Sequence, residues 1–348
     1  YILDLNGVII RKIHTDPSVS GNGLSTPSIV DVNNDQMVDY VYAGDLQGNM
    51  WKFDLTADDA ANWAVAYNDG TDPQPLIATG QPITSKPDVM RHCTGHGYMV
   101  VFGTGKFLHN DDRADLSQQT IYGIWDYGDD DDDGEYLGIF DRSHPTKKFS
   151  NQANGVGLLE QTIVDTRTIS GHVYRTFSDN TTDWPTDPDG TFGEDPNPKD
   201  YAGWYVDFPN PAPSPYDYEG ERVFKGVQIR DGKAIVISFI PDTSPCSGGG
   251  NSFLYIIDAC DGSRMQIDRK QFKIGTTDDL IEIIDPVTGN PIRVPPTGKL
   301  YVGTLHEPKI VRKPGTGDER LYMSSSTGVV ETEDVPAERR GPLYWLER

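Results

Sequence analysis

The sequence predicts an all-β protein, and within that class a β-propeller with inserted surface loops; a β-sandwich is the competing arrangement. Three observations carry this. The 348 residues include 36 Gly and 25 Pro, a turn-heavy composition unsuited to helical bundles or coiled coils. The apolar segments are short and rich in β-formers, as in Val38-Asp39-Tyr40-Val41-Tyr42-Ala43, Tyr98-Met99-Val100-Val101-Phe102 and Lys233-Ala234-Ile235-Val236-Ile237-Ser238-Phe239. A small unit also recurs: an apolar or aromatic run reaches an Asp, and often a Gly turn follows. It reads Tyr1-Ile2-Leu3-Asp4…Gly7, Met50-Trp51-Lys52-Phe53-Asp54, Tyr122-Gly123-Ile124-Trp125-Asp126 and Leu254-Tyr255-Ile256-Ile257-Asp258…Gly262. Strands that end in this way at intervals of about 40–50 residues, stretched by insertions, fit four-stranded propeller blades, though any hairpin protein can repeat such a unit.

Helical signal is almost confined to one place. Ala57 to Val65 reads as a short surface helix, with Thr56 as N-cap and Asp58 and Asp59 in the first turn. Three segments read as insertions, near 126–136, 179–201 and 209–219. The first holds the run Asp129 to Asp133, the second is rich in Asp, Asn, Pro, Thr and Gly, and the third opens on an extended Pro-rich stretch. Such composition is expected of solvated surface loops.

Charge narrows the choice of partners. Lys and Arg total 30 against 53 Asp and Glu, a net charge of −23, and 41 of the acids are Asp against 12 Glu. A field of that sign repels phosphate backbones, so nucleic acid is not an expected partner. No apolar stretch approaches the roughly 18 residues needed to span a bilayer, and no membrane insertion is expected. Asp is a turn residue and a short, stiff oxygen ligand, so its excess points to loops and to hard cations.

Three cysteines, Cys93, Cys246 and Cys260, form no C-x-x-C pattern, which gives no support to a zinc ribbon, a thioredoxin-like motif or a c-type haem. Cys246 and Cys260 bracket a strand expected over Asn251 to Asp258, and the connectivity stays open. The opening Tyr1-Ile2-Leu3 reads as mid-strand, so 1–348 is expected to be part of a longer chain.

The strongest local signal is Asp31-Val32-Asn33-Asn34-Asp35-Gln36-Met37-Val38-Asp39. Oxygen-bearing side chains fall at relative positions 1, 3, 5 and 9, and Met37 at position 7 can offer its carbonyl, the spacing of the first nine residues of a calcium loop. Like charges about 4 Å apart cost roughly 4 kcal/mol at an effective dielectric near 20, so such a turn favours a cation of its own. Hard oxygens select Ca²⁺ over Mg²⁺, which demands a tighter octahedron. The candidate metal ligands are therefore Asp31, Asn33, Asp35, Met37 and Asp39. The motif is not an EF-hand: Tyr42 stands at position 12, Gln36 replaces the Gly at position 6, and a strand follows instead of a helix. Gln36 is expected to be driven into a left-handed conformation it disfavours.

Here a resemblance enters. The run from Ser25-Thr26-Pro27-Ser28 through the calcium loop to Asp54-Leu55 resembles the C-terminal region of the PilC/PilY family of type IV pilus biogenesis factors and tip adhesins. Further matching segments follow in family order: Val100-Val101-Phe102-Gly103-Thr104-Gly105-Lys106-Phe107, Gly203-Trp204-Tyr205-Val206-Asp207-Phe208-Pro209, Gly220-Glu221-Arg222 and Pro245-Cys246-Ser247-Gly248-Gly249-Gly250. The resemblance implies a modified, quinoprotein-like β-propeller at the cell surface or pilus tip. It further implies adhesion and Ca²⁺-dependent control of pilus extension and retraction, with pilin, minor pilins and a host or surface ligand as partners. The five loop residues match the family's calcium ligands position by position.

Enzyme readings are weaker. Quinoprotein dehydrogenases commonly stack their quinone against a vicinal disulfide, and this chain has no adjacent cysteines. His92-x-x-x-His96 has two histidines four apart, but Gly95 and Gly97 flank the second and a strand begins at Tyr98, so both read as loop histidines. Gly103-Thr104-Gly105-Lys106 lacks the spacing and the helix of a phosphate loop. The expectation is a non-enzyme. A secreted quinoprotein-like dehydrogenase and a glycan-binding propeller are the alternatives.

Overall fold

The computed structural model describes residues 1–15, 20–127, 136–144, 148–150, 156–182, 184, 201–209, 219–242, 249–269, 271–276, 278–285, 287–314 and 318–336. The run Asp129 to Asp133, Cys246 and most of the Pro-rich segment lie outside the described residues, as does most of 179–201.

The architecture is all-β, a β-propeller of antiparallel sheets. A sheet of Ser28–Val30, Tyr40–Gly44, Asn49–Asp54 and Ala64–Val65 comes first, with Ile77–Ala78 also pairing to Asn49–Asp54. Next is a five-stranded sheet in the order Asp88–Arg91, Tyr98–Gly103, Thr120–Asp126, Tyr201–Asp207, Gly157–Gln161, the last pair parallel. A larger sheet follows, built around Gly250–Asp258 between Lys233–Ile237 and Gly298–Val302. Lys309–Arg312, Glu319–Ser324 and Val330–Val335 make a three-stranded sheet.

Sequence alternation dictates how these sheets stack. Side chains of a strand point alternately to its two faces, so a strand apolar at every position is covered on both. In Tyr98–Gly103, Val100 and Phe102 pack with Tyr42 and Met50 of the first sheet, while Met99 and Val101 pack with Val236, Phe253 and Tyr255 of the third. Gly250–Asp258 repeats the logic: Phe253, Tyr255 and Ile257 face the five-stranded sheet, and Leu254 and Ile256 pack with Leu321 and Met323. Each central sheet therefore separates two cores. The recurrent strand-final aspartates Asp54, Asp126 and Asp258 end equivalent strands of successive sheets.

Trp204 pins the middle of the stack. It is fully buried between two glycines: a Cβ on Gly123 would sit 2.2 Å from its ring, and one on Gly262 would sit 2.3 Å away. Its Nε1 donates to the Ala259 carbonyl at 3.2 Å.

One expected element is not formed. In place of a helix over Ala57 to Val65 there is a single 3₁₀ turn, Ala60–Asn62, capped by Asp59, whose Oδ1 accepts from Ala61 N at 2.9 Å. Thr56 does not cap it; its hydroxyl donates to Asp54 Oδ1 at 2.7 Å. The turn buries no side chain, and Ala64–Val65 is drawn off as a strand beside Phe53 and Asp54. So short a segment cannot repay helix nucleation without a buried face.

The cysteine connectivity left open by the sequence is Cys93–Cys260, with Cα atoms 6.0 Å apart and 167 residues between them in sequence. The bond ties the turn before Tyr98–Gly103 to the turn after Gly250–Asp258, and so joins adjacent sheets. Closing a loop of that length removes about 5 kcal/mol of unfolded-state entropy on the chain-entropy relation.

Candidate functional site

Asp31 to Asp39 forms the connection of a hairpin, with Val30 opposite Tyr40 in the register and Asp39 N donating to Val30 O at 2.9 Å. Within it, the oxygen side chains organise the backbone. Asp31 accepts from Asn34 N at 2.6 Å through Oδ1 and from Gln36 N at 2.9 Å through Oδ2. Asn33 Oδ1 accepts from Asp35 N at 2.9 Å, and Asp35 Oδ1 from Met37 N at 2.8 Å. The chain winds round these oxygens because Asn34 and Gln36 take positive φ, 62° and 72°. Asn adopts that region readily; Gln does so at a cost, as expected where a Gly is replaced.

Asp39 sits differently. It is 9% exposed, and its Oδ2 accepts from Val32 N at 2.6 Å across the mouth of the loop. The carboxylate oxygens of Asp31, Asp35 and Asp39 are consequently not all within 4.8 Å of one another. Asn33, Asp35 and Met37 are exposed and Asp31 half-buried. Among the described residues, none of the three carboxylates has a basic side chain within 4.0 Å. The donor set of three carboxylates, one amide and one peptide carbonyl suits a hard oxygen-seeking cation.

The strand leaving the loop meets the next sheet through Tyr40 and Tyr98. The Tyr98 ring meets Tyr40 edge-on at 6.3 Å, and Arg91 lies over it at 5.3 Å. Burial raises the Tyr98 pKa; Arg91 opposes this, and the charges of Asp39 and Asp31 add to it.

A second attachment is buried. Tyr42, on the strand leaving the loop, donates its hydroxyl to Asp126 Oδ2; Tyr67 donates to Oδ1; and Lys52 Nζ lies 2.8 Å from Oδ2. Asp126, Tyr42 and Lys52 are 1%, 0% and 5% exposed. Burial opposes ionisation of Asp126, but Lys52 and the two hydroxyls outweigh it and hold the carboxyl below its usual value. The hairpin that presents the loop is thereby clamped to the next sheet by one anion, one cation and two phenols. The recurrent Asp pattern flagged Asp126 as a strand end but gave no sign of this role, because its partners lie 59 to 84 residues away.

Other segments singled out in the sequence are structural. Glu221 is buried with Arg175, Tyr255 and Ser238; its Oε2 lies 2.5 Å from Arg175 Nη1 and its Oε1 accepts from Ser238 at 2.5 Å and Tyr255 at 2.8 Å. Arg222 donates to the carbonyls of Gly220, Lys106, Asp112 and Asp115. The turn carrying Gly103-Thr104-Gly105 packs against this segment: a Cβ on Gly103 would meet Val223 at 2.4 Å, and one on Gly105 would meet Arg222 at 2.5 Å. Close packing accounts for these glycines, and His92 and His96 lie in the tight turn between Asp88–Arg91 and Tyr98–Gly103, as expected of loop histidines.

Comparison with known proteins fits this geometry. Residues 1–167 match the family model of the PilY1 beta-propeller domain. The type IV pilus biogenesis factor PilY1 of Pseudomonas aeruginosa is 33% identical over 291 residues, covering 76% of this chain and 23% of that protein. A PilY1 homologue of Xylella fastidiosa is 30% identical over 284 residues, covering 75% of this chain and 16% of that protein. The crystal structure of the Pseudomonas aeruginosa PilY1 C-terminal domain superposes with a TM-score of 0.71 at 26% identity, covering 97% of this chain and 66% of that one. This chain thus spans under a quarter of the length of the curated relatives it matches.

Proposed function

We propose, from the premise that the chain belongs to the PilC/PilY family of type IV pilus biogenesis factors as its C-terminal propeller region, that it acts as a non-enzymatic, calcium-stabilised surface of the pilus machinery. The reading includes a place at the pilus tip or outer surface, contact with pilin and minor pilins, attachment to a host or surface ligand, and calcium-dependent control of extension and retraction. Its support is the naming of the relatives as pilus biogenesis factors, together with the acidic loop.

The observation that carries the calcium part is the winding of the loop about its own oxygens, with Asn34 and Gln36 left-handed. Asp31, Asp35 and Asp39 would supply carboxylates, Asn33 its amide oxygen and Met37 its carbonyl. The bound ion supplies positive charge that cancels the repulsion among the three anions. The chain's own contribution is to pre-form the turn and to seat the strand leaving it against the neighbouring sheet through Tyr40 and Tyr98.

Binding to the folded loop alone stabilises the protein by RT ln(1 + [Ca²⁺]/Kd), about 2.7 kcal/mol at a hundredfold excess. At about 2 °C per kcal/mol for a domain of this size, that raises Tm by about 5 °C. Thermal melts in calcium and in chelator are expected to differ by this order, and Asp35→Ala to remove the difference. A calcium-induced shift unchanged in Asp35→Ala refutes the site. For the pilus role, cells lacking their own copy are expected to regain fewer surface pili from the full-length protein with Asp35→Ala than from the unsubstituted one.

A further inference from the structure

His92 is 2% exposed, its ring stacked on Trp125 at 3.9 Å and 7° and set edge-on to Trp184 at 4.9 Å. Its Nδ1 accepts from Thr94 N at 3.3 Å and lies 3.0 Å from Thr94 Oγ1, while its Nε2 is buried with no hydrogen-bond partner among the described residues. A buried imidazole nitrogen without a partner is costly and calls for a ligand. A ring nitrogen of His92 and the Sγ atoms of Cys93 and Cys260 all lie within 4.8 Å of one another. Cys93 is exposed and Cys260 half-buried, so a solvent-borne thiol can reach the bond.

We propose that the Cys93–Cys260 disulfide is a masked metal site: reduced by a dithiol, its two sulfurs join His92 Nε2 in holding a thiophilic divalent cation, zinc foremost. The chemistry closes. The dithiol gives up two electrons and two protons and leaves as its cyclic disulfide, and the protein keeps two thiols. Zn²⁺ then displaces one proton from each thiol. In the oxidised chain Thr94 N donates to His92 Nδ1 at 3.3 Å, which leaves the ring proton on Nε2; metal binding at Nε2 moves that proton to Nδ1, which then donates to Thr94 Oγ1 in place of the contact from Thr94 N. A ligating histidine that donates through its other nitrogen is the usual second-shell arrangement. Two thiolates and one imidazole form a three-ligand zinc set whose fourth position is left to water. Burial lowers the pKa of His92 to about 4, and the charge of His96 adds to this, so the ring is neutral near pH 7 without help.

Each of the two turns keeps hydrogen bonds of its own when the disulfide opens. The turn of Cys93 is closed by His92 N to Gly97 O at 3.1 Å and Gly95 N to His92 O at 2.8 Å, under the Trp125 stack. The turn of Cys260 is closed by Gly262 N to Asp258 O at 2.9 Å and Cys260 N to Asp258 Oδ1 at 2.8 Å, over Trp204. Two thiolates on one zinc sit about 3.8 Å apart, given Zn–S bonds of about 2.3 Å. With Cα atoms 6.0 Å apart, side-chain rotation provides that spacing without moving the backbone.

The test uses the chain carrying Cys246→Ser, which removes the third thiol, reduced with a phosphine and titrated with Co²⁺. The expected result is a thiolate-to-cobalt charge-transfer band with a one-to-one endpoint, abolished by excess Zn²⁺ and absent from the oxidised chain, with quenching of tryptophan fluorescence from the His92 stack. His92→Ala is expected to weaken binding at least tenfold, and Cys93→Ser to remove most of the band. If reduction loosens the fold, stoichiometric Zn²⁺ restores the near-UV circular dichroism of the reduced chain but not that of reduced His92→Ala. Absence of the band in a folded reduced chain, equal affinity in His92→Ala, or failure of zinc to restore a loosened fold each overturns the proposal.

Discussion

Replacing Asp126 by Asn tests how the loop-bearing hairpin is fastened to its neighbour. The substitution keeps the side-chain shape but removes the charge that Lys52 faces at 2.8 Å, in a site where both side chains are nearly inaccessible. It also leaves a single acceptor oxygen for the hydroxyls of Tyr42 and Tyr67. Breaking a buried ion pair by removing one member typically costs about 3–5 kcal/mol, because the other charge stays behind unpaired. With a urea m-value of about 3 kcal/mol/M, the unfolding midpoint falls by roughly 1–1.7 M. Lys52→Met is expected to cost a similar amount by stranding the anion, and the double variant to lose less than the sum, with a coupling of about 1–3 kcal/mol. The acid limb checks the sign. The folded pKa of Asp126 lies below its unfolded value, so its contribution is fully present above about pH 4 and fades as pH falls through the folded pKa. The gap between the unsubstituted chain and Asp126→Asn therefore narrows below pH 4. Losses under 1 kcal/mol, or strictly additive ones, would refute the clamp.

Gln36→Gly relieves a residue held at φ 72°, and is expected to stabilise the chain by about 0.5–1 kcal/mol and tighten calcium binding, read as a higher Tm and a lower Kd. Glu221→Gln removes the carboxylate charge facing Arg175, which is 1% exposed, and is expected to lower stability by about 3–5 kcal/mol in chemical denaturation, with calcium affinity unchanged because the network lies apart from the loop.

Much of the candidate site was legible because its information is local. The nine residues Asp31 to Asp39 carry their own oxygens at alternate positions, and the left-handed Gln36 follows from a Gly position filled by a side chain. Propeller strands were legible for a similar reason: short, β-rich apolar runs ending in Asp describe a strand without reference to anything distant. The Ala57 to Val65 helix was misread because capping residues there also serve turns, and only the pull of the adjacent strand decided between them.

What the amino-acid order determined alone was short-range: strand segments, the acidic loop, the sign of the surface field and the resemblance carried by its motifs. Tertiary structure alone decided which far-apart groups meet. Lys52 and Asp126, Arg175 and Glu221, and His92 with Cys93 and Cys260 are neighbours only because each central sheet buries both faces and brings strands from different blades together. A charge or a thiol has no pattern of its own along the chain; its partner is chosen by the packing that excludes water from both.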